Sequence, residues 1–173
     1  ERTGGTMLEI WRGLHVGNEL DYERTVQHQS GWSVVHACKE PYHRNAVGYR
    51  TPRVNDAHPE SLVARRGHRL MLNLIDVPDV SLVSEQGIDA ALDFIGEALA
   101  ARQQVLLHCN QGRSRSPTIG WLYLVSRTNR FATQTFEQAE VEFRVLYPAY
   151  APALGMYDFA RLHFERYRAT APR

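Results

Sequence analysis

Three short apolar runs constrain the fold of this chain more than any other feature. Residues 32–37 read Trp-Ser-Val-Val-His-Ala, residues 69–75 carry Leu70, Met71, Leu72, Leu74 and Ile75, and residues 105–107 are apolar throughout. They show little of the in–out alternation of a half-exposed strand, which is the pattern of strands buried on both faces. Helical patterns separate and follow them. Residues 88–101 put Ile88, Ala91, Leu92, Ile95 and Leu99 on one stripe, 116–125 are apolar enough to be buried, and 135–146 open with a Thr135-Phe-Glu-Gln138 capping box. Pro148 and Pro152 precede a last helix over about 154–168. Ahead of the core strands, residues 7–16 read as two short strands around Gly13, closed by Gly17-Asn18, and 19–29 as a short helix. Pro41, Gly48, Pro52 and Pro59 make 39–64 mostly loop. The expected fold is α/β, a central mostly parallel sheet flanked by helices on both faces. Ligands in such sheets sit beyond the C-terminal strand ends, which nominates the loops after Ala37, Ile75 and Leu107.

Composition narrows the class. A chain of 173 residues suits one domain, 1–173, and 43% apolar with 23% charged residues is globular composition. Cys38 and Cys109, the only two cysteines, cannot build a disulfide scaffold, and without a Cys-x-x-Cys pair no zinc site or other metal centre is indicated. A net charge of +1 gives no strong nucleic-acid signal and no polybasic membrane surface. No apolar run approaches the roughly 20 residues of a membrane span. Residues 1–5 are polar and lack a signal-peptide core, which with unpaired cysteines points to a reducing, cytoplasmic setting. Oligomeric state is left open.

The loop after the 105–107 run reads His108-Cys109-Asn110-Gln111-Gly112-Arg113-Ser114-Arg115-Ser116-Pro117. A cysteine stands where a strand ends and a helix begins. Gly112 permits an unusual backbone angle, so several N–H groups can turn inward as an anion nest. The helix beginning near Ser116 adds its positive end. Arg115 offers a planar fork for two oxygens of a tetrahedral oxyanion. Such a site favours a dianion and a Cys109 thiolate, and a thiolate held against a cradled phosphate is a nucleophile in place.

His-Cys-x5-Arg-Ser resembles the signature of the cysteine-dependent protein phosphatases, and the small domain resembles their dual-specificity branch. Leu8-Glu-Ile-Trp-Arg-Gly-Leu-His-Val-Gly17 is similar to that branch's N-terminal hairpin, Ala90-Ala-Leu-Asp-Phe-Ile95 to the helix before the nucleophile strand, and Ser114-Arg-Ser-Pro-Thr118 to the helix start that follows. The long 39–68 connection is the part that does not fit. The resemblance implies a phosphomonoester hydrolase that uses no cofactor. Cys109 would form a cysteinyl-phosphate. Arg115 and the backbone amides of Asn110, Gln111, Gly112, Arg113, Ser114 and Arg115 would hold the phosphoryl oxygens. Ser116 takes the position of the hydroxyl that assists breakdown of the intermediate, with a helix cap as the alternative. His108 would orient the loop and keep the thiolate poised.

The resemblance also implies an acid about thirty residues before the cysteine. Asp76 lies 33 residues and Asp79 30 residues before Cys109, so spacing leaves both open. Asp76 is preferred because a strand-end position aims its side chain over the adjacent strand-end loop; Asp79 is the alternative. Cys38 ends a neighbouring strand, and in some relatives a second cysteine protects the nucleophile as a redox partner, the alternative being an inert buried thiol. Residues 39–70 hold seven Lys/Arg against three acids, a local charge of +4, so the 39–68 connection reads either as a basic active-site flap or as a solvated loop. In the flap reading Lys39, His43 and Arg44 are the nearest substrate contacts. Arg113 either meets a second acidic group or faces solvent. Phosphotyrosine or phosphoserine/threonine protein is the implied substrate. The same signature also resembles phosphatases of phosphoinositides and RNA 5′-phosphates, and a phospho-ligand binding module is a further reading.

Overall fold

The register of β-strand pairing explains how the chain brings its chemistry to one edge. The computed structural model describes residues 7–173; residues 1–5, on which the signal-peptide reading rests, lie outside the described residues. Six strands form one sheet: β1 Leu8–Trp11, β2 Leu14–Gly17, β3 Trp32–His36, β4 Val63–Arg66, β5 Arg69–Leu72 and β6 Gln104–His108, in the order β1-β2-β6-β3-β5-β4. The inner four are mutually parallel, and antiparallel β1 and β4 close the two edges. β6, late in sequence, sits between the early strands β2 and β3. Gly17 and His36 both register with His108, so three strand ends meet where Cys109 begins.

Side chains alternate between two cores, as the strand period of two requires. On β6, Val105 and Leu107 enter the larger core and Leu106 the smaller. The larger core is covered by four helices: α3 Glu85–Ala100, α4 Arg115–Arg127, α5 Phe136–Leu146 and α6 Leu154–Ala169. Every residue of α4 from Ser116 to Ser126 is buried, because α4 lies between the sheet and α6. The smaller core is covered by α1 Glu19–Arg24, by an irregular helical turn Lys39–His43 and by α2 Arg44–Val47. Helices therefore flank both faces, unequally.

The helix starts follow local rules. Thr135 and Gln138 exchange side-chain to backbone bonds as the expected capping box. Ser84 caps α3, which starts at Glu85, three residues ahead of the stripe read from sequence. The 19–29 segment is not one helix. It breaks at Thr25 into α1 and a 3-10 turn, Val26–His28.

Three sequence expectations are corrected in the middle of the chain. The 39–64 stretch is not mostly loop from its start, since the turn Lys39–His43 runs into α2 and stops at Gly48, whose φ of +89° is left-handed. The edge strand β4 was not expected: Val-Ala-Arg-Arg is short and half charged, and it exists because Gly67-His68 turns it back onto β5. β5 ends at Leu72 rather than Ile75, because Asn73 N–H bonds Leu62 O and Leu74 O turns to serve the site described below.

Trp121 is fully buried beneath a ring cluster, stacked on Phe164 and edge-on to Phe136. Trp121→Ala is expected to cost about 3–5 kcal/mol by urea unfolding, against less than about 0.5 kcal/mol for Val145→Ala on the exposed side of α5. Equal losses would contradict this packing.

Candidate active site

The loop from Cys109 to Arg115 is held from outside by its carbonyl oxygens. The Cys109 carbonyl accepts from His108 Nδ1 at 3.2 Å. That of Asn110 accepts from the Glu19 amide at 3.4 Å, where α1 begins. That of Gly112 accepts from the Tyr147 hydroxyl at 2.6 Å. That of Arg113 accepts from the Ala151 amide at 2.8 Å, and that of Ser114 from the amide and hydroxyl of Thr118 in the first turn of α4. A trans peptide is planar, with C=O and the next N–H antiparallel. Each carbonyl drawn outward therefore turns the following N–H inward. The amides of Asn110, Gln111, Arg113, Ser114 and Arg115 are turned this way, opposite to their anchors.

Gly112 makes the turn possible. Its φ is +70°, and a Cβ there would lie 2.9 Å from the Gly17 carbonyl oxygen. Gly17 faces it, and a Cβ on Gly17 would come 2.3 Å from Asp21 Oδ2.

Within this cradle Cys109 is buried, with Sγ 3.2 Å from Ser116 Oγ. Ser116 also donates to the Gly17 carbonyl at 3.1 Å. Its hydroxyl is thus not a helix cap; it joins β2 to the thiol. Arg115 is braced, its guanidinium donating through Nη1 to the Leu74 carbonyl at 3.1 Å and through Nη2 to Asn110 Oδ1 at 2.9 Å. Its Nε–H is buried without a partner, a leftover charged donor. Gln111 and Arg113 expose their side chains.

The two candidate acids separate cleanly. Asp76 Oδ1 accepts from Ser114 Oγ at 2.8 Å, so this carboxylate reaches the cysteine loop. Ser114 in turn accepts from the Ala153 amide, and Gly155 N–H bonds the Val77 carbonyl. The segment leading into α6 thereby clamps the Asp76 loop. Asp79 faces elsewhere. Its Oδ1 accepts from the amide and hydroxyl of Ser81, capping the 3-10 turn Val80–Leu82 and holding its carboxyl below the usual range.

Of the three contacts expected from the 39–68 connection, His43 is corrected by its surroundings and Lys39 and Arg44 are engaged within the segment. His43 is fully buried, its ring bonded to Tyr49 Oη and the Glu60 carbonyl, so it supports the segment and cannot meet a substrate. Arg44 is engaged by Glu40 and by the Tyr49 and Thr51 carbonyls. Lys39 Nζ bonds the Pro52 carbonyl. The segment still adjoins the site, because Asn110 Nδ2 donates to the Glu40 carbonyl. Cys38 and Cys109 are both free thiols. Cys38 packs in the smaller core and Cys109 in the larger, and burial pushes the Cys38 thiol up, which favours its inert, protonated form.

Sequence reading missed Tyr147, Gly155, Gly17, His36 and Arg69 as parts of the site. Only Gly17 carried a signal, as the end of a turn next to Asn18. Tyr147 reaches the loop directly, and the others act through contacts distant in sequence: His36 on His108, Arg69 on His36, and Gly155 on Val77.

No protein-family model matches the chain. Human dual specificity protein phosphatase 12 is 30% identical over 148 residues, covering 83% of this chain and 37% of that protein. The fold is that of a mouse dual specificity phosphatase solved with zinc tungstate, at a TM-score of 0.64 and 19% identity, covering 100% of this chain and 96% of that one. The human tyrosine phosphatase-like serine/threonine/tyrosine-interacting protein shares it at a TM-score of 0.60 and 19% identity, covering 94% and 95%. In sequence and in fold the chain is similar to the dual-specificity branch of the cysteine-dependent phosphatases. It spans less than half the length of the curated dual specificity phosphatases it matches. Among the described residues, no helix of this dual-specificity phosphatase-like chain is long and apolar enough to cross a membrane.

Two outcomes are expected. A Cβ on Gly155 would lie 2.2 Å from the Val77 carbonyl oxygen, which is backbone and cannot swing aside. Gly155→Ala should displace the Asp76 loop, lowering the melting temperature and shifting the Asp76 and Val77 amide resonances; unchanged resonances would contradict the clamp. His108 is buried, and burial lowers its pKa to about 4. The unfolded chain, with an ordinary histidine near 6.5, binds the extra proton first as pH falls. Stability is therefore full above about pH 6.5 and declines toward pH 4. Urea midpoints measured from pH 7.5 to 4.5 test this, and a flat profile would contradict it.

Proposed function

We propose that this chain is a phosphomonoester hydrolase that works through a cysteinyl-phosphate and acts on phosphorylated proteins. The observation that carries the reading is the buried Cys109 thiol, 3.2 Å from the Ser116 hydroxyl, inside a loop whose carbonyls are anchored outward. Such a loop presents its amides, with the Arg115 fork, to a group of three equatorial oxygens.

In the proposed reaction the Cys109 thiolate attacks phosphorus, the S–P bond forms and the P–O ester bond breaks. Asp76 gives its proton to the departing oxygen, so the leaving group departs as an alcohol or phenol. Water then attacks the phosphocysteine while Asp76 takes back a proton. The S–P bond breaks, inorganic phosphate leaves and the thiolate returns. Ser116 Oγ–H turns from the Gly17 carbonyl to the sulfur as the sulfur regains charge. The preference for Asp76 over Asp79 rests on its bond to Ser114 and on the engagement of Asp79 with Ser81.

Phosphoprotein is favoured over a polyanionic lipid or RNA by the state of the basic segment. Arg44, Arg65 and Arg66 pair with Glu40, Glu97 and Glu60, and Arg69 turns inward to His36. Less of the local positive charge is left for an extended polyanion. A domain spanning 1–173, with 39–68 as a flap beside the site, and a reducing cytoplasmic setting complete the reading; the latter is supported by two free thiols.

The test is a chelator-resistant assay with p-nitrophenyl phosphate, phosphopeptides, phosphoinositides and triphosphorylated RNA. Wild type is expected to hydrolyse p-nitrophenyl phosphate and phosphopeptides, and Cys109→Ser to be inactive. Asp76→Asn should lose about 10²–10⁴-fold in kcat on phosphopeptides and the alkaline fall of the kcat/KM profile, with Asp79→Asn near wild type. Activity surviving in Cys109→Ser would overturn the mechanism, and inactivity of the wild type on every substrate would favour a binding module.

A further inference from the structure

A buried chain of ring nitrogens runs through the smaller core to the back of the cysteine loop. Arg69 Nε lies 2.9 Å from His36 Nε2, His36 Nδ1 lies 2.6 Å from His108 Nε2, and His108 Nδ1 lies 3.2 Å from the Cys109 carbonyl oxygen. Chemistry fixes every proton in it. A guanidinium only donates, so His36 Nε2 is the acceptor. A neutral His36 then carries its hydrogen on Nδ1 and donates to His108 Nε2. His108 in turn carries its hydrogen on Nδ1 and donates to Cys109.

We propose that His36 and Arg69 are positioning residues: they lock the His108 tautomer that holds the Cys109 carbonyl outward and the Asn110 amide inward. The proposal deepens the phosphatase reading and rests on it for its catalytic meaning.

Three observations support it. Both rings are fully buried, and burial lowers the pKa of each, His108 to about 4, so both stay neutral as the relay requires. Tyr22 of α1 stacks on His108 at 5.4 Å and meets His36 edge-on, while Tyr42 of the irregular turn stacks on His36 at 4.4 Å and meets His108 edge-on. The rings therefore cannot rotate to exchange partners. The facing charges are ordered as well. Arg69 from β5 lies over Tyr22, Arg115 stands on the loop side, and the α1 carboxylates are engaged, Glu23 by Tyr42 and Glu19 by Asn110. Each N–H of the relay points its positive end toward Cys109, with the Arg69 cation at the far end.

Without the His36 donor, His108 Nε2 would be a buried acceptor left unpaired. The Nε2–H form of the ring, which the His36 N–H excludes by facing it donor to donor, would then become accessible, and it presents a lone pair to the Cys109 carbonyl, which repels it.

The test compares wild type, His36→Leu, His36→Asn and Arg69→Met, each first checked for folding by its amide spectrum. ¹⁵N NMR of the imidazoles reads the His108 tautomer, and alkylation of Cys109 by iodoacetamide across pH, followed by peptide mass mapping, reads the thiolate. Wild type and His36→Asn, whose amide can still donate to His108, are expected to show the Nδ1–H tautomer. His36→Leu should show Nε2–H signal beside Nδ1–H, and its Cys109 should alkylate roughly two- to tenfold more slowly at mildly acidic pH, the worth of one net hydrogen bond. Arg69→Met should slow alkylation in the same direction by less. If His36→Leu does not fold, Arg69→Met decides, since Arg69 is only half-buried. An unchanged tautomer in His36→Leu, or unchanged alkylation in the folded variants, would overturn the proposal. Both readouts work without phosphatase activity, so an inactive wild type would refute the hydrolase reading while leaving the relay measurable.

Discussion

The site depends on the outward anchoring of one loop's carbonyl oxygens. A seven-residue turn cannot hold its amides convergent on its own, because each would pair with solvent or with a neighbouring carbonyl. Here a histidine ring, the start of α1, a tyrosine hydroxyl and the segment before α6 each take a carbonyl and pull it away from the interior. Peptide planarity converts those outer bonds into an inner row of donors. Donors fixed before any oxyanion arrives need little reorganisation to stabilise one.

The fold exists, in this sense, to bring the anchors together. Inserting β6 between β2 and β3 places Gly17, Ala37 and His108 together at the C-terminal end of the inner strands. The Leu74 carbonyl accepts from both the Lys39 amide and Arg115, so the ends of β3 and β5 and the cysteine loop share one oxygen. On the far side, Ser114 bonds both Asp76 and the Ala153 amide, which fixes the proposed acid relative to the proposed nucleophile. Gly17, Gly112 and Gly155 are small because a backbone or carboxylate oxygen lies where a Cβ would be.

Much of this was legible in the sequence, and the reason is local. The buried strands and the capping box at Thr135 are set by neighbours within a few residues, and the Cys109–Ser116 segment announces itself by its residue types although its anchors are distant in sequence. The preference for Asp76 was reasoned from a strand end at Ile75, whereas β5 ends at Leu72 and Asp76 reaches Ser114 from the loop that follows. What the sequence hid is long-range. Tyr147 drew no reading, and Arg69 was read only as the start of a strand and as one charge in a basic count. The basic count over 39–70 hid these pairings for the same reason: charge is a sum, whereas His43, Arg44 and Lys39 are engaged by specific partners inside the segment. β4 was invisible because an edge strand fed by a tight turn needs no apolar run.

The covalent step is the center of the proposed mechanism, and it can be observed. Ser116→Ala should slow breakdown of the intermediate more than its formation. Mixing that variant with p-nitrophenyl phosphate, quenching with denaturant within the turnover time and mapping peptides by mass spectrometry reads it directly. The expected result is one phosphate on the peptide carrying Cys109, absent in Cys109→Ser. Turnover without phosphate on Cys109 at any quench time, or phosphate carried by another side chain, would contradict it.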